Sequence, residues 1–314
     1  MRVISLATIK AKLPVEATIE AIERGFVAYS NNAVTVPPVG HLALPGGDCH
    51  IKYGYIHGDD FFVVKIASGF HNNAQQGLAT GSGMMLLLDA KTGLPQALLE
   101  DEGYLTDIRT AMAGLIAARY LAPKNIHCIG VIGCGQQARY QLQYLRYHTD
   151  CRRCIVWGRN QAQLEAYCQD VRQWGFEATI AQSPQQVARA SNLIITSTPS
   201  TEAILRSQWI QPGTHITAMG ADTPGKQELD TALLVRADVI VVDSISQCSD
   251  HGEVHKAVQS GLISATQLTQ LGHVIDQTSA GRTTQTQITI ADLTGVAVQD
   301  IQIATAVYRA CLST

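Results

Sequence analysis

The stretch Asn125–Tyr140, NIHCIGVIGCGQQARY, decides the fold. It predicts a buried β-strand over Ile126–Ile132, a tight glycine turn and then a helix. Gly133 allows the turn, Gly135 lets a pyrophosphate approach the backbone, and the small Ala138 permits close packing of the helix on the strand. The N–H groups and the positive dipole end of such a helix form an anion site.

A GxGxxA pattern is weak evidence on its own, because a glycine turn between a strand and a helix also occurs without a ligand. Here the motif follows a strand and opens a helix, and a second hydrophobic strand, Cys154–Trp157, follows about 20 residues later. This context favours a bound dinucleotide over a purely structural turn.

Length and composition limit the class of protein. The 314 residues suggest two domains of about 150 residues each. Hydrophobic residues make up 46% and charged residues 16% of the chain, with a net charge of −3 and no block of like charges. This composition argues against disorder and against a nucleic acid as partner. No segment reaches the ~18 consecutive apolar residues of a membrane span, so we expect a soluble, cytoplasmic protein.

The eight cysteines are scattered along the chain, which is typical of free thiols in a reducing compartment. Cys151 and Cys154 have CxxC spacing, but no second pair accompanies them. His251 and His255 lie four residues apart in HGEVH, which differs from the HExxH zinc motif because the glutamate stands at 253. We therefore predict no metal site.

The first 120 residues predict a mixed α/β domain. Thr18–Tyr29 carries an apolar stripe with helical spacing, and strands are predicted at His50–Ile56, Phe61–Ala67 and Met84–Leu88. This order indicates an antiparallel or mixed sheet and not a nucleotide-binding one.

Lys65 stands inside the apolar run FFVVKIA. Burying an ammonium group is costly unless it is paired, and a desolvated lysine has a lowered pKa that suits proton transfer. A structural ion pair with Asp59 or Asp60 is the equally weighted alternative.

Leu105–Pro123 predicts a helix with Thr106 as its N-cap. Arg109 falls in the first turn, where an arginine fork at the positive end of a helix suits a carboxylate or a phosphate. The alternative is a salt bridge with Asp101 or Glu102.

Beyond Ile126, strands and helices alternate, which predicts a parallel, doubly wound sheet and an α/β fold. Two predicted strands end in Thr196–Pro199 and Gly220–Asp222, at the carboxyl edge where open α/β sheets bind ligands. Asp222 is therefore a candidate acid, with an ordinary turn aspartate as the alternative. The tail, Asp292–Leu312, predicts a glycine loop and an amphipathic helix that returns to the first domain.

The end of the second strand of this sheet bears on the choice of dinucleotide. It reads Val156-Trp157-Gly158-Arg159-Asn160, without the acidic residue that binds a ribose 2′-hydroxyl and with an arginine that can meet a 2′-phosphate. We expect NADP(H) in preference to NAD(H), which is the alternative.

Four stretches carry a likeness to a known family: LTDIRTAMAGLIAARYLAP, VIGCGQQA, GADTPGKQELD and DLTGVAVQD. In these stretches, which lie in family order over most of the chain, the protein resembles the ornithine cyclodeaminase/μ-crystallin family. GADTPGKQELD and GEVHKAVQSGLI look most like the imine-reducing members, including iminosuccinate reductases. GDCHIKYGY is similar to a branch associated with ectoine breakdown.

The resemblance implies a Rossmann-type NAD(P)-binding domain over residues 121–295. Residues 1–120, together with a C-terminal helix at about 296–314, would form a mixed α/β domain for substrate binding and dimerisation. The resemblance thus implies a homodimer joined through the N-terminal domain, with a small imino or amino acid as the substrate.

The resemblance also implies roles for individual residues. Lys65 and Arg109 would hold the substrate carboxylate, Lys65 also lying near the reacting nitrogen, and Asp222 would be the acid/base. Thr294 would line the substrate pocket. Together with the glycine motif and the second strand, the residues assigned to the cofactor are Ser82, Thr110, Gly133, Gly135, Gln136, Gln137, Ala138, Gly158, Arg159, Asn160, Thr198, Met219 and Gly220.

Two positions depart from the family pattern. Ala33 stands where many members have a carboxylate-binding arginine, and Lys52 can replace that charge, although an exposed strand lysine is the alternative. Met84 stands where many relatives have a cofactor-facing threonine, which leaves Ser82 for that role.

The resemblance implies an NAD(P)H-dependent reductase of a small α-imino acid, or the corresponding amino-acid dehydrogenase. The second candidate is a cyclodeaminase, which takes a hydride from an amino acid and returns it after ring closure. The third is a binding protein like μ-crystallin, which holds a dinucleotide and a hydrophobic ligand. Ala33 removes a cation that the cyclodeaminase pattern uses, so we expect a small neutral or acidic imino acid and not ornithine.

Overall fold

The computed structural model describes residues 1–313, with only the backbone of residues 71 and 74. The chain divides into two compact units, Met1–Thr110 with Val296–Thr314, and Ala111–Gly295. The first unit is therefore made from both ends of the chain, and the second unit is one continuous segment. No helix of the described residues is long and apolar enough to cross a membrane.

The strands of residues 1–313 are β1 (Arg2–Ser5), β2 (Val34–Thr35), β3 (Gly40–Leu44), β4 (Gly47–Ile56), β5 (Phe61–Phe70), β6 (Gly81–Asp89), β7 (Pro95–Glu100), β8 (Ile129–Ile132), β9 (Arg153–Trp157), β10 (Glu177–Ile180), β11 (Leu193–Thr196), β12 (His215–Ala218), β13 (Val239–Val242), β14 (Leu268–Gln270) and β15 (Thr289–Asp292). The α-helices of the same residues are α1 (Leu6–Lys12), α2 (Val15–Ser30), α3 (Tyr104–Leu121), α4 (Gln136–Leu145), α5 (Gln161–Gln173), α6 (Pro184–Ala190), α7 (Thr231–Arg236), α8 (Ile245–His251), α9 (His255–Gln259), α10 (Leu271–Ile275) and α11 (Ala297–Leu312).

The sheet of the first unit has the order β1-β7-β6-β5-β4-β2, and β3 also pairs with β4. β1 runs parallel to β7, and the other pairs are antiparallel. The mixed sheet predicted from the sequence is thus confirmed.

The two faces of this sheet differ, because successive side chains of a strand point to opposite sides. One face packs against α11, which also packs against α2, and it buries Val63, Lys65 and Met85. On the other face Ile51, Ile66 and Met84 are neighbours across three strands. These three side chains are 37, 40 and 44% exposed, so the chain alone leaves an apolar sheet face open.

The second unit contains eight parallel strands in the order β10-β9-β8-β11-β12-β15-β13-β14. The chain moves from β8 to β9 and β10 on one side, and then to β11 and β12 on the other side. The reversal lies between β8 and β11, where open α/β sheets bind ligands at the carboxyl ends of their strands. The predicted doubly wound sheet is confirmed.

Two element boundaries differ from the sequence-based prediction. β8 begins at Ile129 and not at residue 126, because the side chain of Asn192 binds the backbone there: it accepts from His127 N at 3.1 Å and donates to Asn125 O at 2.7 Å. α3 begins at Tyr104, so Thr106 is not its N-cap. The carboxylate of Asp101 accepts from Leu105 N at 2.8 Å and takes that role.

Candidate active site

The glycine loop after β8 combines a forced turn with open space. Gly133 has φ +108°, and a Cβ there would lie 2.9 Å from Ser197 O and 3.1 Å from Thr198 Cγ2, so only glycine fits. Gly135 has an ordinary φ of −77°, and a Cβ there would meet no atom within 4 Å. The fold therefore does not require this second glycine, and the space beside it has room for a ligand.

The helix that follows is suited to an anion. α4 starts after Gly135, and no side chain caps its first turn, so its N–H groups and positive dipole end face the open loop. Gln136 is exposed, and Gln137 Oε1 accepts from Gln141 Nε2 at 3.2 Å. Ala138 is fully buried against the core, as the close packing of helix on strand requires.

Arg139 fixes the backbone of this loop, and the sequence analysis did not identify it. Its guanidinium donates to Cys134 O at 2.6 Å and to Gly135 O at 3.2 Å. It also binds the carboxylate of Asp170 at 2.7 Å and lies over the ring of Tyr167. Arg139 thus satisfies two carbonyl groups of the glycine loop and fixes its backbone. The only available signal was an arginine directly after the motif.

The ends of β11 and β12 are joined by one buried carboxylate, Glu228. Its Oε1 accepts from Thr198 N at 2.6 Å and from Thr198 Oγ1 at 2.7 Å, and its Oε2 accepts from Gly220 N at 2.9 Å. Burial raises the pKa of Glu228 to about 7, against the lowering effect of the hydrogen bonds from Thr198 and Gly220. Glu228 lies within the GADTPGKQELD stretch, but its contacts with Thr198 and Gly220 depend on the fold and were not predicted from the sequence.

Two further buried carboxyl groups continue this arrangement. Glu253, the glutamate of HGEVH, accepts from Glu228 N at 2.8 Å and from Leu229 N at 2.9 Å. Asp292, the last residue of β15, accepts from Val254 N at 3.1 Å. Burial, then the Glu228 charge, raise the pKa of Glu253 well above its usual value, and burial raises that of Asp292 to about 7. The loops at this edge of the sheet are thus held by carboxyl–backbone hydrogen bonds.

Other predicted residues of the second unit have structural partners. Thr294 is buried, and its hydroxyl donates to Asp243 Oδ1 at 3.0 Å. Met219 Sδ accepts from Gln141 Nε2 at 2.9 Å. At the end of β9, after Gly158, Arg159 is exposed. Asn160 caps α5 by accepting from Gln163 N at 3.0 Å.

Asp222 lies in the loop after β12 and forms an ion pair. Lys226 Nζ donates to its Oδ1 at 2.6 Å, and the Asp222 side chain is 49% exposed. The proposed acid is therefore accessible to solvent and held by a cation four residues later.

In the first unit, Lys65 and Arg109 meet at a carboxylate that the sequence analysis missed. Lys65 Nζ lies 3.1 Å from both oxygens of Asp300, and Arg109 Nε lies 3.0 Å from its Oδ1. Arg109 Nη1 also donates to Gln299 Oε1 at 3.1 Å. Lys65 is 2% exposed and Asp300 is 1% exposed. Each cation thus forms the ion pair that was its structural alternative, but the partner is Asp300 on α11 and not one of the suggested carboxylates.

The basic side chains of this cluster are Lys65, Arg109 and Lys52, and Asp101 and Asp107 also interact electrostatically with Lys65 and Arg109. Lys52 of β4 stands directly opposite Lys65 in the strand register, so both side chains share one sheet face. Burial, then the Arg109 charge, lower the pKa of Lys65 to about 7, against the effect of Asp300. Burial alone would raise the pKa of Asp300, but Lys65 and Arg109 outweigh it and lower that pKa. Lys65 and Arg109 share the Asp300 carboxylate, and cations in such an arrangement are candidates for binding an anionic group.

The remaining predicted residues of the first unit are not part of this cluster. Ser82 is exposed and pairs with Ser68, on the sheet face opposite to Lys65. Met84 lies on that same open face. Thr110 donates from its hydroxyl to Thr106 O at 2.8 Å within α3.

The chain matches known proteins over nearly its whole length. The family model described as ornithine cyclodeaminase/mu-crystallin matches residues 2–314. A Sinorhizobium fredii protein named as an uncharacterized cyclodeaminase is 39% identical over 98% of this chain and 95% of its own length. The iminosuccinate reductase of Paracoccus denitrificans is 32% identical over 98% of this chain and 96% of its own length.

Solved structures agree in the fold. An archaeal alanine dehydrogenase dimer with bound NAD superimposes with a TM-score of 0.93 at 32% identity, covering 100% of this chain and 96% of that one. Thermococcus litoralis Δ1-pyrroline-2-carboxylate reductase, in complex with NADH and L-proline, also gives 0.93, at 26% identity, covering 100% and 98%. The chain belongs to the ornithine cyclodeaminase/mu-crystallin family.

Proposed function

We propose that the protein is an NAD(P)H-dependent reductase of a small α-imino acid, which also catalyses the reverse dehydrogenation of the amino acid. The observation that carries this proposal is the cluster of Lys65, Arg109 and Lys52 around Asp300. Its guanidinium and ammonium groups can bind a substrate carboxylate, and its central lysine has a pKa of about 7.

The reaction class has support beyond this chain. An alanine dehydrogenase and an iminosuccinate reductase align with nearly the whole chain, and a Δ1-pyrroline-2-carboxylate reductase aligns with most of it. The protein is an NAD(P)-dependent oxidoreductase that acts on C–N bonds. The assignment of a small α-imino acid as its substrate is part of the proposal.

The second unit supplies the dinucleotide site in this proposal. The open space beside Gly135 and the uncapped N-terminus of α4 fit a pyrophosphate. Gln136 and Gln137 would lie beside it. When bound, the nicotinamide supplies or accepts the hydride. We propose a preference for NADP(H), because Arg159 is exposed after β9 and no acidic residue stands there.

The first unit supplies the carboxylate anchor. Asp300 and Gln299 engage Nε and Nη1 of Arg109, and the third nitrogen of the guanidinium is Nη2. We assign this nitrogen and Lys65 to the substrate carboxylate. Reduction adds a hydride to Cα and a proton to the nitrogen, and Lys65 or Asp222 donates that proton. Anchoring the carboxylate also fixes the orientation of the reacting carbon, which lowers the entropic part of the barrier.

A screen of purified protein tests this function. NADPH or NADH consumption is followed with a panel of α-keto acids plus ammonia or methylamine, and with cyclic imines. We expect steady oxidation of the nicotinamide with at least one imine and none with the keto acid alone. Tight dinucleotide binding without turnover on any imine would instead favour a ligand-binding protein.

Cyclodeamination is the second candidate, favoured by the name of the 39% identical relative. Ala33 argues against it, because a cation used by the cyclodeaminase pattern is absent there. Incubation with L-ornithine and catalytic NAD(P) distinguishes the two reactions. Stoichiometric proline and ammonia, without imine-dependent oxidation of NAD(P)H, would show that reduction is the wrong assignment.

We further propose that the protein is a cytoplasmic homodimer. The open apolar face around Ile51, Ile66 and Met84 is a suitable interface, and the archaeal alanine dehydrogenase is described as a dimer. The eight cysteines are free, in keeping with a reducing compartment.

A further inference from the structure

Three potential metal ligands meet on the hairpin formed by β3 and β4, outside the residues assigned to the reaction. His41 of β3 stands directly opposite His50 of β4, and Asp48 lies two residues before His50, on the same face of the strand. His41 Nε2 lies 3.9 Å from Asp48 Oδ2, and His50 Nδ1 lies 3.9 Å from Asp48 Oδ1. One donor atom from each residue lies within 4.8 Å of the other two. We call His41, Asp48 and His50 the hairpin triad.

We propose that the hairpin triad binds one divalent transition-metal ion, with zinc as the best match. Two imidazoles and one carboxylate form a donor set that zinc accepts, with a solvent molecule in the fourth position. Magnesium and calcium require mostly oxygen ligands, and the triad offers a single carboxylate. These three residues lie in no known metal-binding sequence motif, so the sequence alone predicts no metal here.

The distances fit a site that closes by side-chain rotation. Zinc binds nitrogen and oxygen at about 2.0–2.2 Å, which sets neighbouring ligand atoms of a tetrahedron about 3.3–3.5 Å apart. The triad must therefore contract by about 0.5 Å to 1.5 Å. The side chains of His41, Asp48 and His50 are 54, 39 and 26% exposed, so His41 and Asp48 can rotate toward the less exposed His50.

The backbone holds the ligands in place before the metal arrives. Five consecutive residue pairs join β3 to β4, from Gly40 with Ile51 to Leu44 with Gly47. The turn between the strands contains Gly46 at φ +83°, a conformation that favours glycine. The two imidazole rings are stacked with centroids 4.7 Å apart. Protonating both rings would set two cations side by side, whereas a shared metal ion requires both rings to be neutral.

An arrangement without metal is the competing explanation. In that case Asp48 would interact with the two histidines only electrostatically, because 3.9 Å is longer than a hydrogen bond. An exposed ion pair of this kind contributes little to stability, and it would not select among cations. Metal selectivity therefore separates the two explanations.

Zinc titration against a chromogenic chelator, with the full-length protein, tests the proposal. We expect one equivalent of zinc to bind, and His41→Ala, His50→Ala and Asp48→Asn each to weaken binding at least tenfold. His127→Ala removes an exposed histidine elsewhere and should leave the affinity unchanged. Circular dichroism checks that each variant is folded, and Asp48→Asn preserves side-chain shape if either alanine variant is not. Equal zinc affinity in the folded triad variants would overturn the proposal.

Two further measurements identify the site itself. X-ray absorption should show a first shell of nitrogen and oxygen with imidazole scattering, and a sulfur shell would assign the zinc to cysteines and reject the triad. Zinc should raise the melting temperature of the parent but not of His41→Ala, since an ion that binds only the folded state stabilises it. Magnesium and calcium at the same concentration should have no such effect, and an equal effect would reject a transition-metal site. None of these readouts depends on reductase activity.

Discussion

At the scale of single residues, Asp300 has the largest structural role in the cation cluster. Asp300→Asn removes the carboxylate that the buried Lys65 and Arg109 share, which should cost about 3–5 kcal/mol of unfolding free energy. Lys65→Ala leaves Asp300 paired with Arg109, so we expect activity to be lost with a smaller loss of stability. Urea unfolding and imine-dependent oxidation of NAD(P)H measure the two effects.

Arg309→Ala is the matched control for this comparison, because Arg309 lies on α11 with Asp300 and its ion pair with Asp60 is exposed. It should leave both stability and activity close to those of the parent. A Lys65→Ala variant that unfolds as readily as Asp300→Asn, while its folded fraction stays active, would assign Lys65 a structural role.

The lowered pKa of Lys65 predicts a pH dependence of the reduction. Burial and Arg109 bring this pKa to about 7, so the ammonium form is present below that pH and is lost above it. If Lys65 donates the proton, kcat/KM for reduction should fall by about tenfold per pH unit above about 7. Asp222→Asn should retain this limb of the profile. A kcat/KM of the parent that stays constant across this pH range would show that Lys65 is not the donor.

At the scale of elements, Glu228 links the ends of β11 and β12, and its effect should reach the cofactor. In Glu228→Gln one acceptor oxygen becomes an NH2 group facing the N–H of Thr198 or Gly220, so the two loops lose a shared anchor. We expect the KM for NAD(P)H to rise about tenfold with a smaller change in kcat. Glu202→Gln, at an exposed position, should change neither. An unchanged cofactor KM in a folded Glu228→Gln variant would contradict this positioning role.

The end of β9 should decide between the two dinucleotides. If Arg159 meets the 2′-phosphate, Arg159→Ala should lower the ratio of kcat/KM for NADPH to that for NADH at least tenfold. Arg153→Ala, an exposed arginine at the start of the same strand, is the control. Parent enzyme that uses NADH as well as or better than NADPH would show that Arg159 does not set the preference.

The elements that are determined by residues close together in the sequence were predictable. The glycine loop, α4 and the alternation of strands and helices follow from local spacing, and the structure has them. The partner of Lys65 was not predictable, because Asp300 lies 235 residues away in the chain and nearby aspartates offered plausible pairs. Thr106 failed as an N-cap because the flanking residues Glu102 and Gly103 adopt positive φ, which brings Asp101 to the helix start instead.

At the scale of the whole molecule, the open sheet face predicts the assembly. Ile66→Glu places a charge in the middle of the apolar row between Ile51 and Met84, so we expect a dimer to dissociate to a folded monomer. Sedimentation velocity measures the mass, and circular dichroism checks the fold. Val235→Glu, at an exposed apolar position of α7, should remain dimeric. A parent protein that sediments as a monomer at micromolar concentration would reject the proposed interface.

The first unit is assembled from both ends of the chain, and this has a consequence for biosynthesis. A ribosome delivers all of Ala111–Gly295 before α11 exists. The continuous unit can therefore fold during translation, whereas the sheet that carries Lys65 must wait with its future helix-facing side uncovered. During that interval Lys65 and Arg109 lack their partner Asp300. A chain released early would therefore expose apolar strands and unpaired charge. Chaperones and proteases would recognise such a fragment, and only the complete polypeptide would acquire the anchor for its substrate.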